Sequence, residues 1–154
     1  MKYFYTVCLS ILSLTVFTQA YKPATIRWFM QAPGEQGSAI NYGVNAKAGD
    51  YALSGNDRIY YEVYGKGQPV IVLHGGMVGS LYEMGRLIDS LSRSYQVIAV
   101  STRGHGKSDM GSDHSYAQKA KDVVAVINKL KTDSVTVFGF SDGGYTGYLL
   151  ASLY

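Results

Sequence analysis

Three short runs, VIVL at 70–73, VIAV at 97–100 and VTVF at 135–138, are apolar at nearly every position. A strand with one face in water alternates apolar and polar side chains, so an unbroken run marks a strand buried on both faces, the habit of parallel sheets. Parallel neighbours cannot be joined by a tight turn, and the segments between these runs carry the period of crossover helices. Leu81, Met84, Leu87, Ile88 and Leu91 fall on one helical face, and Ala120, Val123, Val124, Ile127 and Leu130 on another. Right-handed crossovers of this kind give a sheet covered by helices on both sides. Ahead of them, 51–54 and 59–64 read as two short strands around the turn cluster Gly55, Asn56 and Asp57, which predicts an antiparallel hairpin. The expected architecture is α/β: a mostly parallel sheet of about five strands with an N-terminal antiparallel hairpin, closed by a helix from about Gly144 onward.

The stretch before the hairpin divides in two. Lys2 followed by a mainly apolar run over 3–17 and the small-x-small triplet Thr18, Gln19 and Ala20 reads as a signal peptide over 1–20, which predicts a secreted or periplasmic protein. The run is shorter than the roughly 20 apolar residues a helix needs to cross a bilayer, so no stable membrane span is expected once it is removed. Residues 21–50 hold Pro23, Pro33, Gly34, Gly37, Gly43 and Gly49 with little periodicity, and are expected to form an irregular segment across the domain surface. The folded unit is 51–154.

Cys8, inside the signal stretch, is the single cysteine of the 154 residues, which excludes a disulfide framework and a cysteine metal site. The net charge of +3 is spread without a basic run, which argues against a nucleic-acid partner. Nothing in the sequence indicates a metal or an organic cofactor.

Chemistry in open α/β sheets gathers in the loops beyond the carboxyl ends of the strands. Here those loops are His74-Gly75-Gly76-Met77, the stretch from Ser101 to Asp109, and Gly139-Phe140-Ser141-Asp142-Gly143. The last fits G-x-S-x-G between a buried strand and a helical stretch, a setting in which the glycines permit a sharp turn and Ser141 is thrust out at a helix N-terminus. The competing reading is a glycine-rich turn whose serine merely caps the helix.

With these three motifs in this order (His74-Gly75-Gly76, then Arg103-Gly104-His105-Gly106-Lys107-Ser108, then Gly139 to Gly144), the chain from Tyr51 onward resembles the α/β-hydrolase family, in particular its secreted esterase-like and lactonase-like members. The resemblance implies that Ser141 is a nucleophile acting on a small-molecule ester or lactone. It also implies that the backbone N–H of Asp142 is one oxyanion donor and that of Gly76 the other, with Met77 as the lesser choice. A serine at this position separates the chain from members of the family that use a carboxylate there. His74 is expected to support the oxyanion loop, His105 to pin its own glycine-rich turn, and His114 to face solvent before a helix capped by Ser115 or Asp113. Asp109, Asp113 and Asp142 are expected in turns or caps, and none as a triad acid.

In the family the triad runs serine, acid, histidine along the chain. No Asp, Glu or His follows Asp142 in this sequence. The leading reading is therefore an N-terminal fragment of a serine-nucleophile hydrolase that is nearly inactive alone, with an exposed sheet edge open to self-association. The alternatives are a non-catalytic remnant that binds a small molecule or a partner, and a fragment completed by a second polypeptide.

Overall fold

A computed structural model of the chain describes residues 37–77 and 79–154. The signal peptide and most of the irregular segment lie outside the described residues. Five strands, β1 (Gly49–Ser54), β2 (Asp57–Tyr64), β3 (Pro69–Leu73), β4 (Gln96–Val100) and β5 (Thr136–Gly139), form one sheet in the order β1-β2-β4-β3-β5. β1 and β2 make the antiparallel hairpin, β2 runs antiparallel to β4, and β4, β3 and β5 are parallel. The expected class is the observed one.

Boundaries differ slightly, for local reasons. The hairpin loop is two residues, Gly55 and Asn56, because Ser54 pairs with Asp57. Gly55 sits at φ +64°, a conformation that costs glycine least. β1 begins at Gly49, so the tail of the irregular segment is strand. A 3₁₀ turn (Leu81–Met84) leads into the helix α1 (Gly85–Leu91), and α2 (Tyr116–Leu130) and α3 (Asp142–Leu153) follow. α2 is capped by the Ser115 hydroxyl, which accepts from Gln118 N–H at 3.2 Å, while Asp113 accepts from Ser115 N–H at 2.8 Å. Ser115 is thus the cap of the two residues offered for it, and Asp113 braces Ser115 from the preceding turn.

Alternation explains the runs at 70–73 and 97–100, whereas the run at 135–138 is not buried on both faces as expected: Thr136 and Phe138 of β5 are exposed, because no described element covers that face. Ile71, Leu73, Ile98 and Val100 point to one face, where Ala120, Val123 and Val126 of α2 and Leu150 of α3 cover them. Val70, Val72, Val97 and Ala99 point to the other, beneath Leu81, Met84 and Ile88. Each such side chain removed from water contributes about 1.5–3 kcal/mol, so the central strands hold both layers together.

The end of the irregular segment is tied down rather than loosely draped. Tyr42 is buried in the second cluster. Glu62 on β2, fully buried, accepts from the Gly43 and Asn45 N–H groups at 2.9 and 2.8 Å and from the Tyr60 and Tyr64 hydroxyls at 2.9 and 2.8 Å. A carboxylate can be buried when its oxygens are satisfied in this way.

Candidate active site

Ser141 lies between β5 and α3 at φ +51°, ψ −115°, a strained conformation for a residue with a side chain. Its side chain makes no capping hydrogen bond and the residue is exposed, so the reading of Ser141 as a mere helix cap does not describe it. The flanking glycines make the bend possible. A Cβ on Gly139 would run into the Gly143 carbonyl, and one on Gly143 would lie 2.6 Å from the Leu73 carbonyl oxygen and 2.7 Å from that of His74. Phe140 N–H donates to Leu73 O at 3.0 Å, lacing the bend to the end of β3.

That lacing brings the glycine loop after β3 against the start of α3. A Cβ on Gly75 would lie 3.7 Å from Ser141 Cβ, and one on Gly76 3.1 Å from Asp142 Cβ. Gly75, Gly76, Met77, Gly79, Glu83, Phe140 and Ser141 line a cleft of about 320 Å³. Asp142 is the first residue of α3, and the first N–H groups of a helix have no partner within it. The residues expected to form an oxyanion hole, Gly76 and Asp142, are therefore neighbours beside Ser141. Met77 is fully exposed at the rim.

His74 is fully buried. Its Nδ1–H donates to Gly75 O at 2.6 Å, and Nε2 accepts from Thr102 N–H at 3.2 Å, which assigns the tautomer. Burial, the main cause, pushes its pKa down to about 4, so the ring is neutral near pH 7 and supports the loop as expected. His105 does more than pin its own turn: Nε2–H donates to Gly76 O at 2.6 Å, across to the loop after β3. Its Nδ1 lies 3.2 Å from both Thr102 Oγ1 and Arg103 O. His114 is exposed, as expected.

Two carboxylates depart from the turn-or-cap expectation. Asp109 pairs with Arg58, whose Nη2 and Nε lie at 2.9 and 3.1 Å, and this guanidinium holds its pKa below the usual range. Asp142 accepts from Lys119 Nζ at 2.7 Å, joining α2 to the first turn of α3. Lys119 was not singled out in the sequence, where it is one of several lysines along an amphipathic helix, and only the packed helices show it 8% exposed. Buried Arg103 makes two 2.7 Å bonds to Asp122 and one of 3.1 Å to Asp57.

Among the described residues no cluster of His, Cys, Asp or Glu could hold a metal ion, and no helix is long and apolar enough to cross a membrane.

The family profile of the alpha/beta hydrolase fold matches residues 68–154. The chain belongs to the α/β-hydrolase family. The human serine hydrolase BPHL is 29% identical over 151 residues, a match that covers 94% of this chain and 49% of that protein. The esterase EaEST from Exiguobacterium antarcticum superposes with a TM-score of 0.64 at 33% identity, over 69% of this chain and 40% of that one. The epoxide hydrolase CorEH gives a TM-score of 0.64 at 31% identity, over 67% of this chain and 36% of that one. The chain thus spans half or less of the length of these relatives, and proteins of different chemistry share its fold.

Proposed function

We propose that Ser141 is the nucleophile of a hydrolase acting on carboxylic esters or related acyl compounds, with the N–H groups of Gly76 and Asp142 stabilising the oxyanion. The observation that carries this reading is the exposed, strained Ser141 at the N-terminus of α3, facing the Gly75-Gly76 loop across a shared cleft. Attack of the hydroxyl on an acyl carbon develops negative charge on the carbonyl oxygen. Each prealigned N–H donor at that point is worth on the order of 3 kcal/mol. Esterases among the similar proteins favour an ester over other acyl compounds.

Within this reading the 154-residue chain is a partial hydrolase that reacts slowly by itself. His74 and His105 have their ring nitrogens committed to backbone and hydroxyl partners, and residues 143–154 hold no Asp, Glu or His. An oxyanion hole and binding without a triad leave a residual acceleration of roughly 10³- to 10⁴-fold over water. We also infer that the free edge of β5 pairs with a second copy of the chain.

The test is modification by a fluorophosphonate, followed by intact-mass and peptide analysis. One adduct should form slowly on Ser141 and be absent from Ser141→Ala. Equal modification of both proteins, or none on either after prolonged incubation, overturns the assignment. Turnover of a chromogenic acetate ester at the rate of a complete esterase would overturn the partial-hydrolase reading instead.

A further inference from the structure

In a trans peptide the carbonyl of one residue and the N–H of the next lie in one plane and point in opposite directions. His74 Nδ1–H holds the Gly75 carbonyl and His105 Nε2–H holds the Gly76 carbonyl, each at 2.6 Å. Neither histidine lines the cleft that Gly75, Gly76, Met77 and Ser141 share. The two bonds fix the orientation of the Gly75–Gly76 and Gly76–Met77 peptides, and with them the N–H groups of Gly76 and Met77.

Such a restraint is needed because Gly76 lacks a Cβ, and the Gly76–Met77 peptide can rotate at little steric cost. Rotated, it would turn a carbonyl oxygen toward the place where negative charge develops. The other bond to that carbonyl, from Gly79 N–H, is 3.4 Å long, so the short restraint is His105. His105 is itself braced by the Thr102 hydroxyl, which donates to its Nδ1, and the neighbouring Arg103 guanidinium is fixed to α2 through Asp122.

We propose that His105 is a positioning residue for the oxyanion loop: its Nε2–H holds the Gly76 carbonyl and so keeps that oxygen from turning toward the charge that develops beside the Gly76 N–H. The idea rests on the assignment of Ser141 as nucleophile.

The test uses the full chain and two readouts. Fluorophosphonate modification of Ser141 should slow about a hundredfold in His105→Leu, as much as losing one donor costs, because a carbonyl oxygen can then face the oxyanion. His105→Gln, whose side-chain amide can also donate to a carbonyl, should recover most of that rate. A His105→Leu protein with unchanged circular dichroism and modification at the parental rate overturns the proposal, as does His105→Gln behaving like His105→Leu while folded. The second readout is the ring proton of His105 by NMR, which should be protected from exchange with solvent in the parent chain. An unprotected ring proton overturns the clamp whether or not Ser141 reacts, whereas a protected one with no adduct on Ser141 in the parent chain places the failure in the nucleophile assignment.

Discussion

His74 has one ring nitrogen donating to Gly75 O and the other accepting from Thr102 N–H, so neither is free to act as a base. Its titration instead appears as stability. Burial lowers its pKa from the ordinary 6.5 to about 4, and the unfolded chain therefore binds a proton where the folded chain does not. Stability from this residue is complete above about pH 6.5 and falls as the pH drops toward 4, by about 3 kcal/mol in all. Asp50 and Asp109, held low by hydrogen bonds with Lys129 and Arg58, lose their contribution only below the ordinary carboxylate value of 3.8. The two windows are separate. Thermal melting between pH 7 and 4 should show a falling melting temperature in the parent chain and a flatter profile in His74→Asn. An equal slope in both would assign the loss to other groups.

The turn between β5 and α3 works as one element because its glycines are needed for unequal reasons. At Gly143 an added Cβ meets the backbone carbonyls of Leu73 and His74 at 2.6–2.7 Å, and backbone at the end of a central strand cannot move aside. At Gly144 the nearest atom is Gly139 O at 3.3 Å, and alanine is favoured over glycine within a helix by about 1 kcal/mol. Gly143→Ala should therefore cost about 3 kcal/mol, as overpacking does, while Gly144→Ala stays within about 1 kcal/mol of the parent. Urea midpoints of the two variants check this, and equal midpoints would contradict it. The G-x-S-x-G pattern made this element legible in the sequence, because strand, turn and helix are contiguous there. The central strands were legible for a similar reason, since their runs are apolar on both faces. The 3₁₀ start of the helix over 81–91 was not, for Ser80 supplies no side-chain cap to set an α-helical first turn. The His105 bond to Gly76 and the Lys119 bond to Asp142 were also invisible. Each joins segments that only the sheet order β4-β3-β5 or the packing of α2 against α3 brings together, and no spacing along the chain encodes such a meeting.

At the scale of the molecule, β5 is the outermost parallel strand among the described residues. β5 pairs with β3 alone among the described strands, although a strand of its apolar character belongs inside a sheet. Its outer edge carries no charge and no proline between Ser134 and Ser141, the devices that usually protect an edge. Phe138 is 44% exposed on it. Beside it, α3 has no charged residue after Asp142 and presents Tyr145 and Tyr148 outward, 63% and 73% exposed. Unpaired backbone groups next to exposed aromatic surface gain hydrogen bonds and apolar burial by meeting the same edge of another copy. The 154-residue chain should therefore show concentration-dependent association in sedimentation velocity, and Phe138→Lys, which places a charge on the edge, should shift it toward the monomer. A monomer at every concentration, or association indifferent to the lysine, would remove β5 as the contact and leave the aromatic face of α3 to be tested by Tyr148→Lys.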